Sequence, residues 1–234
     1  VAFKDTLESS IDDILGTSFN ERDGRVVPTT EDVKNNEAVK LDAVFLYADL
    51  AGSGELARHC PWDTTAKVIR AFLDASTRII RVYGGEIRSF DGDRVMGVFL
   101  GDMKNTYATR AAREIFYATE RLIGPKASKK FTSISSNNIK LKCGVGVDYG
   151  TGRAVRAGIR SNNDLIWIGR APSMAAKLSD IRSYPHCVFI HEDVYKMLAD
   201  SEKMDGSKNM WEKQSFNFAG AAHNIYRTNY FRTP

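Results

Sequence analysis

“GGEIRSFDGDRVMGVFL”, residues 84–100, decides the fold. The two glycines follow a stretch, Thr64 to Tyr83, whose apolar residues recur at Val68/Ile69, Phe72/Leu73, Ile79/Ile80 and Tyr83, one face of a long helix. Glycine just past the last periodic residue is where a helix stops. Beyond it, Glu86–Phe90 and Arg94–Leu100 predict two strands, joined by a turn at Asp91-Gly92-Asp93.

Upstream, “LDAVFLYADLAGSG” (residues 41–54) is an apolar strand ending at Asp49, followed by small residues that let the chain turn closely. Downstream, a second helix is expected from about Tyr107 to Ile123, with Ala111, Ile115, Phe116, Leu122 and Ile123 facing inward, and “GPKASKKF” (124–131) as a solvated loop. “IKLKCGVGVDYG” (139–150) predicts a strand with alternating burial, and “RAVRAGI” and “NDLIWIG” continue the sheet. “RAPSMAAKLSDI” (170–181) is a short helix with proline in its first turn, “CVFI” (187–190) a buried strand and “HNIYRTNYF” (223–231) a closing strand. The order β-α-β-β-α-β with later additions predicts an α+β fold whose helices cover one face of a sheet. Residues 1–39 are polar and mixed, with a short amphipathic segment near Ile11 to Phe19. They read as a loop-rich leader to a domain spanning 40–234.

At 234 residues the chain can bury a proper core, and its charged fraction of 26% is ordinary for a globular protein. A net charge of +4 without a basic stripe suits a polyanionic small molecule and argues against nucleic acid as a partner. No apolar run approaches membrane-spanning length, and “VAFKDTLESSIDDIL” has acids where a signal peptide needs bases. Cys60, Cys143 and Cys187 are odd in number and widely spaced, which argues against a disulfide framework and a zinc site. A cytoplasmic protein is expected.

Asp49 ends one strand and Asp93 follows the turn between two others; loops at strand ends are where a rigid sheet holds carboxylates together. Two aspartates, a backbone carbonyl and a triphosphate would supply the oxygen ligands that magnesium or manganese prefers. Spacing alone leaves open two unconnected surface aspartates. His59–Cys60 are sequence neighbours and make no nucleophile pair, while His186, Cys187 and His191 bracket a buried strand and are expected only to pack. “GVGVDYGTG” continues a strand instead of opening a helix, so it is no dinucleotide fingerprint.

Four segments in order, “VFLYADLAGSGELA”, “GGEIRSFDGDRVMGVF”, “GVGVDYGTG” and “IWIGRAPSMAAKL”, resemble the catalytic domain of class III nucleotidyl cyclases over roughly residues 40–190. The resemblance implies a ferredoxin-like core acting as a head-to-tail homodimer with shared sites. It implies two Mg2+ or Mn2+ ions per site on Asp49, Asp93 and the backbone carbonyl of Leu50. It also implies attack of a nucleoside triphosphate's 3′-hydroxyl on its own α-phosphate.

The departures from that pattern point to the base. The positions that usually read a purine, a lysine and an acidic or small polar residue, hold Ser89 and Ile166. Tyr47 replaces the usual phenylalanine two residues before Asp49, and Arg94 is a further candidate for base or phosphate. Tyr47 shares a strand face with Asp49, and its hydroxyl can donate or accept. Together these changes resemble the pyrimidine cyclases of bacterial Pycsar anti-phage systems, whose cyclic UMP or cyclic CMP activates a separate effector; UTP is favoured over CTP. The family's transition-state asparagine and arginine fall at Ser173 and Lys177. Lysine supplies charge without arginine's fork, and Arg170, Arg153 and Arg156 are candidates to compensate by gripping the triphosphate. Those two changes keep open an inactive nucleotide-binding dimerisation module. “GGEI” also echoes a diguanylate cyclase signature, but only in part.

Overall fold

The computed structural model describes residues 2–159 and 162–234. In chain order the elements are α1 (Phe3–Leu15), β1 (Asn20–Asp23), β2 (Glu37–Ala51), α2 (Ser53–His59), α3 (Trp62–Val82), β3 (Glu86–Asp91), β4 (Arg94–Phe99), α4 (Lys104–Tyr117), α5 (Gly124–Lys130), α6 (Thr132–Ser136), β5 (Lys142–Ile159), β6 (Asn162–Ile168), α7 (Arg170–Ser179), β7 (Val188–His191), α8 (Glu192–Lys196), α9 (Asp200–Lys203), β8 (Met204–Asp205), β9 (Lys208–Asn209), β10 (Glu212–Phe218) and β11 (Ala221–Thr228). They group into two compact units, Asp42–Thr151 with Gly169–Pro234, and Val1–Leu41 with Gly152–Ile168.

The larger unit is built on a mixed sheet of order β10-β11-β7-β5-β2-β4-β3, in which β5 and β7 pair in parallel. The central hairpin forms as its sequence dictates. Gly92 takes φ 60°, the left-handed turn that glycine enters without steric cost, and β3 and β4 pair from Asp91↔Arg94 outward. On β2, alternate residues Val44, Leu46, Ala48 and Leu50 enter the main core with Val68, Phe72 and Ile80 of α3 and Ala108, Ala111 and Ile115 of α4. Period-two alternation therefore puts Phe45, Tyr47 and Asp49 on the opposite face of the sheet.

Four expectations need correction. First, β5 does not alternate: Cys143 through Asp148 are all buried, the mark of a strand covered on both faces. Second, the helices do not all lie on one face. Val188 and Ile190 of β7 join the α3/α4 core, whereas Phe189 packs with Met174 and Leu178 of α7 on the other side. Third, “GPKASKKF” is no loop: Gly124–Lys130 is helical, its Ala127 buried in the core while its lysines face water. Fourth, the second helix continues past Tyr117 as a wider π turn, Ala118–Ile123, which rotates the register and leaves Leu122 exposed while Ile123 still packs on the core.

In the smaller unit, β1 runs parallel to the first residues of β2, from Asn20↔Glu37 to Asp23↔Lys40, and β5 and β6 form an antiparallel hairpin. Val33, Val39 and Ala154 make its core, with Leu165 and Trp167 packed on them. The leader is thus less loop-rich than its composition suggests, since α1 spans Phe3–Leu15. The expected boundary at residue 40 falls inside β2.

Candidate active site

Strand register assembles the site. Across β2, β4 and β3, Tyr47 pairs with Met96, which pairs with Ser89; one step along, Asp49 pairs with Arg94, which pairs with Asp91. Directly opposed residues share a face, so two rows lie side by side on the sheet face away from α3 and α4. The Leu50 amide donates to the Asp93 carbonyl at 3.3 Å and ties the β3–β4 turn to the end of β2. Asp93 is then close enough for its charge to bear on Asp49. Burial pushes the Asp49 carboxyl above its usual range, Asp93 adds to this, and Arg94 and Arg182 oppose it. Asp91 is exposed, as expected of a turn residue facing solvent.

Both oxygens of Asp49 face guanidinium groups. Arg94 Nε lies 3.4 Å from Oδ1, and Arg182 Nη2 donates to Oδ2. Arg94 also donates through Nη2 to Asp180, whose other oxygen is 3.7 Å from Lys177 Nζ. Ser173 and Lys177 are exposed, about one turn apart on α7. The structure therefore gathers Asp49, Asp93, Arg94 and, through Asp180, Lys177. Asp180 and Arg182 escaped the sequence analysis: they are ordinary charges in the segment leaving α7, and no local spacing marks them.

The donor set fits a hard divalent cation. A buried carboxylate between two arginines is already organised around positive charge, and a second carboxylate adjoins it. Among the described residues, no group of three or more His, Cys, Asp or Glu could hold a metal. A Mg2+ or Mn2+ ion here would draw its remaining oxygens from a backbone carbonyl, water and phosphate, as magnesium commonly does.

Tyr47 is half-buried and its hydroxyl donates to Met96 Sδ at 3.1 Å. A thioether is a weak acceptor, so little holds this hydroxyl against a better partner. Ser89 sits just after a register shift in β3. Ile166 belongs to the smaller unit, where it lines a groove with Ile14, Phe19, Val155 and Arg156. In that unit Arg153 pairs with Glu21, and Arg156 Nε donates to Asn163 Oδ1 at 3.1 Å.

Arg170 is committed inside the chain. Its Nη1 lies 2.9 Å from Asp148 Oδ2, and Nη2 donates to the Tyr149 carbonyl at 3.0 Å and to Asp193 Oδ2 at 3.1 Å. It braces the start of α7 against the middle of β5 and the first turn of α8. His191 completes this cluster, with Nδ1 3.3 Å from Asp148 Oδ1 and Nε2 3.4 Å from His223 Nδ1, so it does more than pack.

The cluster sets a pH dependence of stability. Burial pushes the Asp148 carboxyl up to about 8 against the pull of Arg170, and burial pushes His191 down to about 4. A carboxyl protonated in the folded chain but ionised in the unfolded one loses stability as pH rises, here from about 4 to about 8. A histidine kept neutral does the reverse between about 4 and its unfolded 6.5, so the slopes oppose each other there. The fall is left uncompensated between about 6.5 and about 8. Urea midpoints are expected to decrease across that window, and Asp148→Asn should flatten the decrease; an unchanged slope in the variant would assign it to other groups.

No protein-family model matches the chain. It is 40% identical over 237 residues to the uridylate cyclase of Rhodovulum sp. (strain MB263), covering 100% of this chain and 99% of that one. It is 37% identical to the uridylate cyclase of Xanthomonas perforans, covering 98% of each. Among solved structures, the guanylyl cyclase Cya2 superposes with a TM-score of 0.65 at 14% identity, over 83% of this chain and 95% of that one. A bacterial light-regulated adenylyl cyclase gives 0.64 at 17% identity, over 98% of this chain and 62% of that one. These likenesses show the fold, a mixed α/β architecture around a central sheet. No helix among the described residues is long and apolar enough to cross a membrane.

Proposed function

The chain belongs to the uridylate cyclase family, and we propose that it converts UTP to 3′,5′-cyclic UMP and pyrophosphate. The observation that carries this is that Asp49 shares a sheet face with the Tyr47–Met96–Ser89 row, while a backbone hydrogen bond from Leu50 holds the Asp93 turn beside it. A metal end and a base-reading end then lie one strand step apart.

Asp49, Asp93 and the Leu50 carbonyl would hold Mg2+ or Mn2+, which when bound lowers the pKa of the attacking hydroxyl and neutralises charge on the phosphates. The 3′-oxygen bonds to the α-phosphorus, the bond to the bridging oxygen breaks, pyrophosphate leaves, and the hydroxyl proton passes to solvent. Positioning and charge do the rest. Lys177 contributes positive charge near the phosphates without a bidentate fork, Ser173 orients by a single hydroxyl, and Arg94 sits beside both aspartates. In this proposal the protein acts as a head-to-tail homodimer with each site completed across subunits. The domain is residues 40–234, and the product activates a separate effector in defence against phage.

Tyr47 supports a pyrimidine. Among the described residues its hydroxyl has a thioether as acceptor, and a small base leaves room for it. Because a hydroxyl both donates and accepts, CTP with cyclic CMP as product is the alternative substrate. Tyr47→Phe is expected to lower kcat/KM for UTP about tenfold and to narrow the preference over CTP, the size of one lost hydrogen bond to a buried base edge. The decisive assay incubates the protein and Mn2+ with ATP, GTP, CTP and UTP separately and resolves products by chromatography. Cyclic AMP would sink the pocket assignment. No product from any nucleotide would favour the inactive binding module that Ser173 and Lys177 suggest.

A further inference from the structure

Arg182 answers to no motif, yet it makes one of the closest charged contacts in the larger unit. Its Nη2 donates to Asp49 Oδ2, while its Nη1 donates to the Ser179 carbonyl at 2.6 Å and lies 3.3 Å from the Ile181 carbonyl. The position is prepared on the strand beneath it: a Cβ on Gly144 would stand 2.4 Å from Arg182 Nη1. One side chain therefore links the C-terminal end of α7 to a carboxylate on β2.

The ion pairs show where a bound metal would meet competition. Arg94 and Arg182 both pair with Asp49, so two guanidinium groups already occupy the carboxylate that the metal would use. A divalent ion at the carboxylates would stand within a few ångströms of two guanidinium groups. Like charges this close repel strongly, so the ion and one of the arginines compete for Asp49. Arg94 is anchored elsewhere, since its Nη2 stays on Asp180 when Asp49 is withdrawn, and its backbone is pinned in β4. Arg182 follows α7 outside any strand, and Asp49 is the one carboxylate it pairs with among the described residues.

We propose that Arg182 is the resident counter-ion of Asp49, displaced by the incoming divalent cation and then turned toward the nucleotide's phosphates. The inference rests on the metal-dependent cyclase function above. Before loading, Arg182 holds a buried carboxylate in place. On loading its Nη2 is released from Asp49 while Nη1 stays on the Ser179 carbonyl at the end of α7, and the freed edge of the guanidinium turns to donate to phosphate oxygens. Arg182 is a positioning residue for the carboxylate and supplies the second cationic fork that Lys177 cannot.

The test measures Mn2+ binding by electron paramagnetic resonance of the free ion in full-length, nucleotide-free protein, alongside steady-state kinetics with UTP. Arg182→Gln removes the competing charge. It is expected to bind Mn2+ about tenfold more tightly than wild type, a gain of about 1.4 kcal/mol, while KM for UTP rises. A merely structural arginine would not tighten metal binding when lost. Asp93→Asn serves as the control that places the ion. If Mn2+ binds wild type and is lost in Asp93→Asn, but Arg182→Gln binds no more tightly, the counter-ion role is overturned and the metal site stands. If wild type binds no Mn2+ without nucleotide, the counter-ion role falls, and product formation from UTP decides the cyclase reading separately. Should Arg182→Gln fail to fold by circular dichroism, Arg182→Met decides, because it removes the competing charge while keeping an unbranched apolar stem. Tightening in that variant supports the role, and unchanged binding removes it.

Discussion

Replacing Asp93 with asparagine is expected to lower cyclic UMP formation by about three orders of magnitude or more, with the fold intact. The loss should be this large because charge neutralisation on a triphosphate commonly outweighs any other contribution to such a reaction. Asp93 is only half-buried and lies in a turn, and its carbonyl, which the substitution preserves, is what accepts the Leu50 amide. Stability should therefore change little. Asp49→Asn should lose activity to a similar degree with a different signature. Its carboxylate is buried and partners both Arg94 and Arg182, so the variant leaves two guanidinium groups facing a neutral amide. Removing one partner of a buried ion pair is costly, so Asp49→Asn should also melt at a lower temperature than Asp93→Asn. The measurement pairs product formation from UTP under Mn2+ with thermal melts of the metal-free proteins. Residual activity within tenfold of wild type in Asp93→Asn would remove that residue from the metal site.

That contrast between two aspartates marks what could be learned from sequence. The hairpin and its carboxylates were legible because both depend on local rules. A helix stop at Gly84-Gly85 and a turn at Gly92 set the register, and a period of two then carries Tyr47, Asp49, Ser89 and Arg94 to one face. The ion pairs around Asp49 follow no local rule. Arg182 is 133 residues from its partner, and a charge in a loop looks the same whether it is solvated or docked. The same limit hid the Asp148–Arg170–His191 cluster, whose members come from β5, α7 and β7. The placement of α7 was also illegible. “CGVGVD” looks like alternating burial if its glycines are counted as neutral, whereas Gly144 and Gly146 are small because a helix lies across them.

Those glycines carry the second large expectation. Gly146→Val should destabilise the protein and remove activity together, although residue 146 is neither an aspartate of the site nor in contact with one of them in the described hydrogen bonds. A Cβ at Gly146 would lie 2.1 Å from the Ala175 carbonyl oxygen and 2.5 Å from the Ser179 amide nitrogen. Both are backbone atoms of α7, so no side-chain rotation relieves the clash and the helix itself has to shift. Overpacking of this kind costs about 1–3 kcal/mol and occasionally more. In a protein of this size each kcal/mol lowers Tm by about 2–4 °C. The functional cost should exceed that, because α7 carries Ser173 and Lys177 and leads directly into Asp180 and Arg182. A displacement of about 1 Å in positioning groups can cost about a hundredfold in rate. Gly146→Ala should show the same pairing in milder form. The informative result is the ratio of effects at a temperature where both variants remain folded. If Gly146→Val keeps wild-type kcat below its Tm, α7 does not position the reacting groups, and the roles given to Ser173 and Lys177 have to be withdrawn. If kcat falls in the folded variant while Mn2+ still binds, the helix is placed where the cation is not held but the phosphates are.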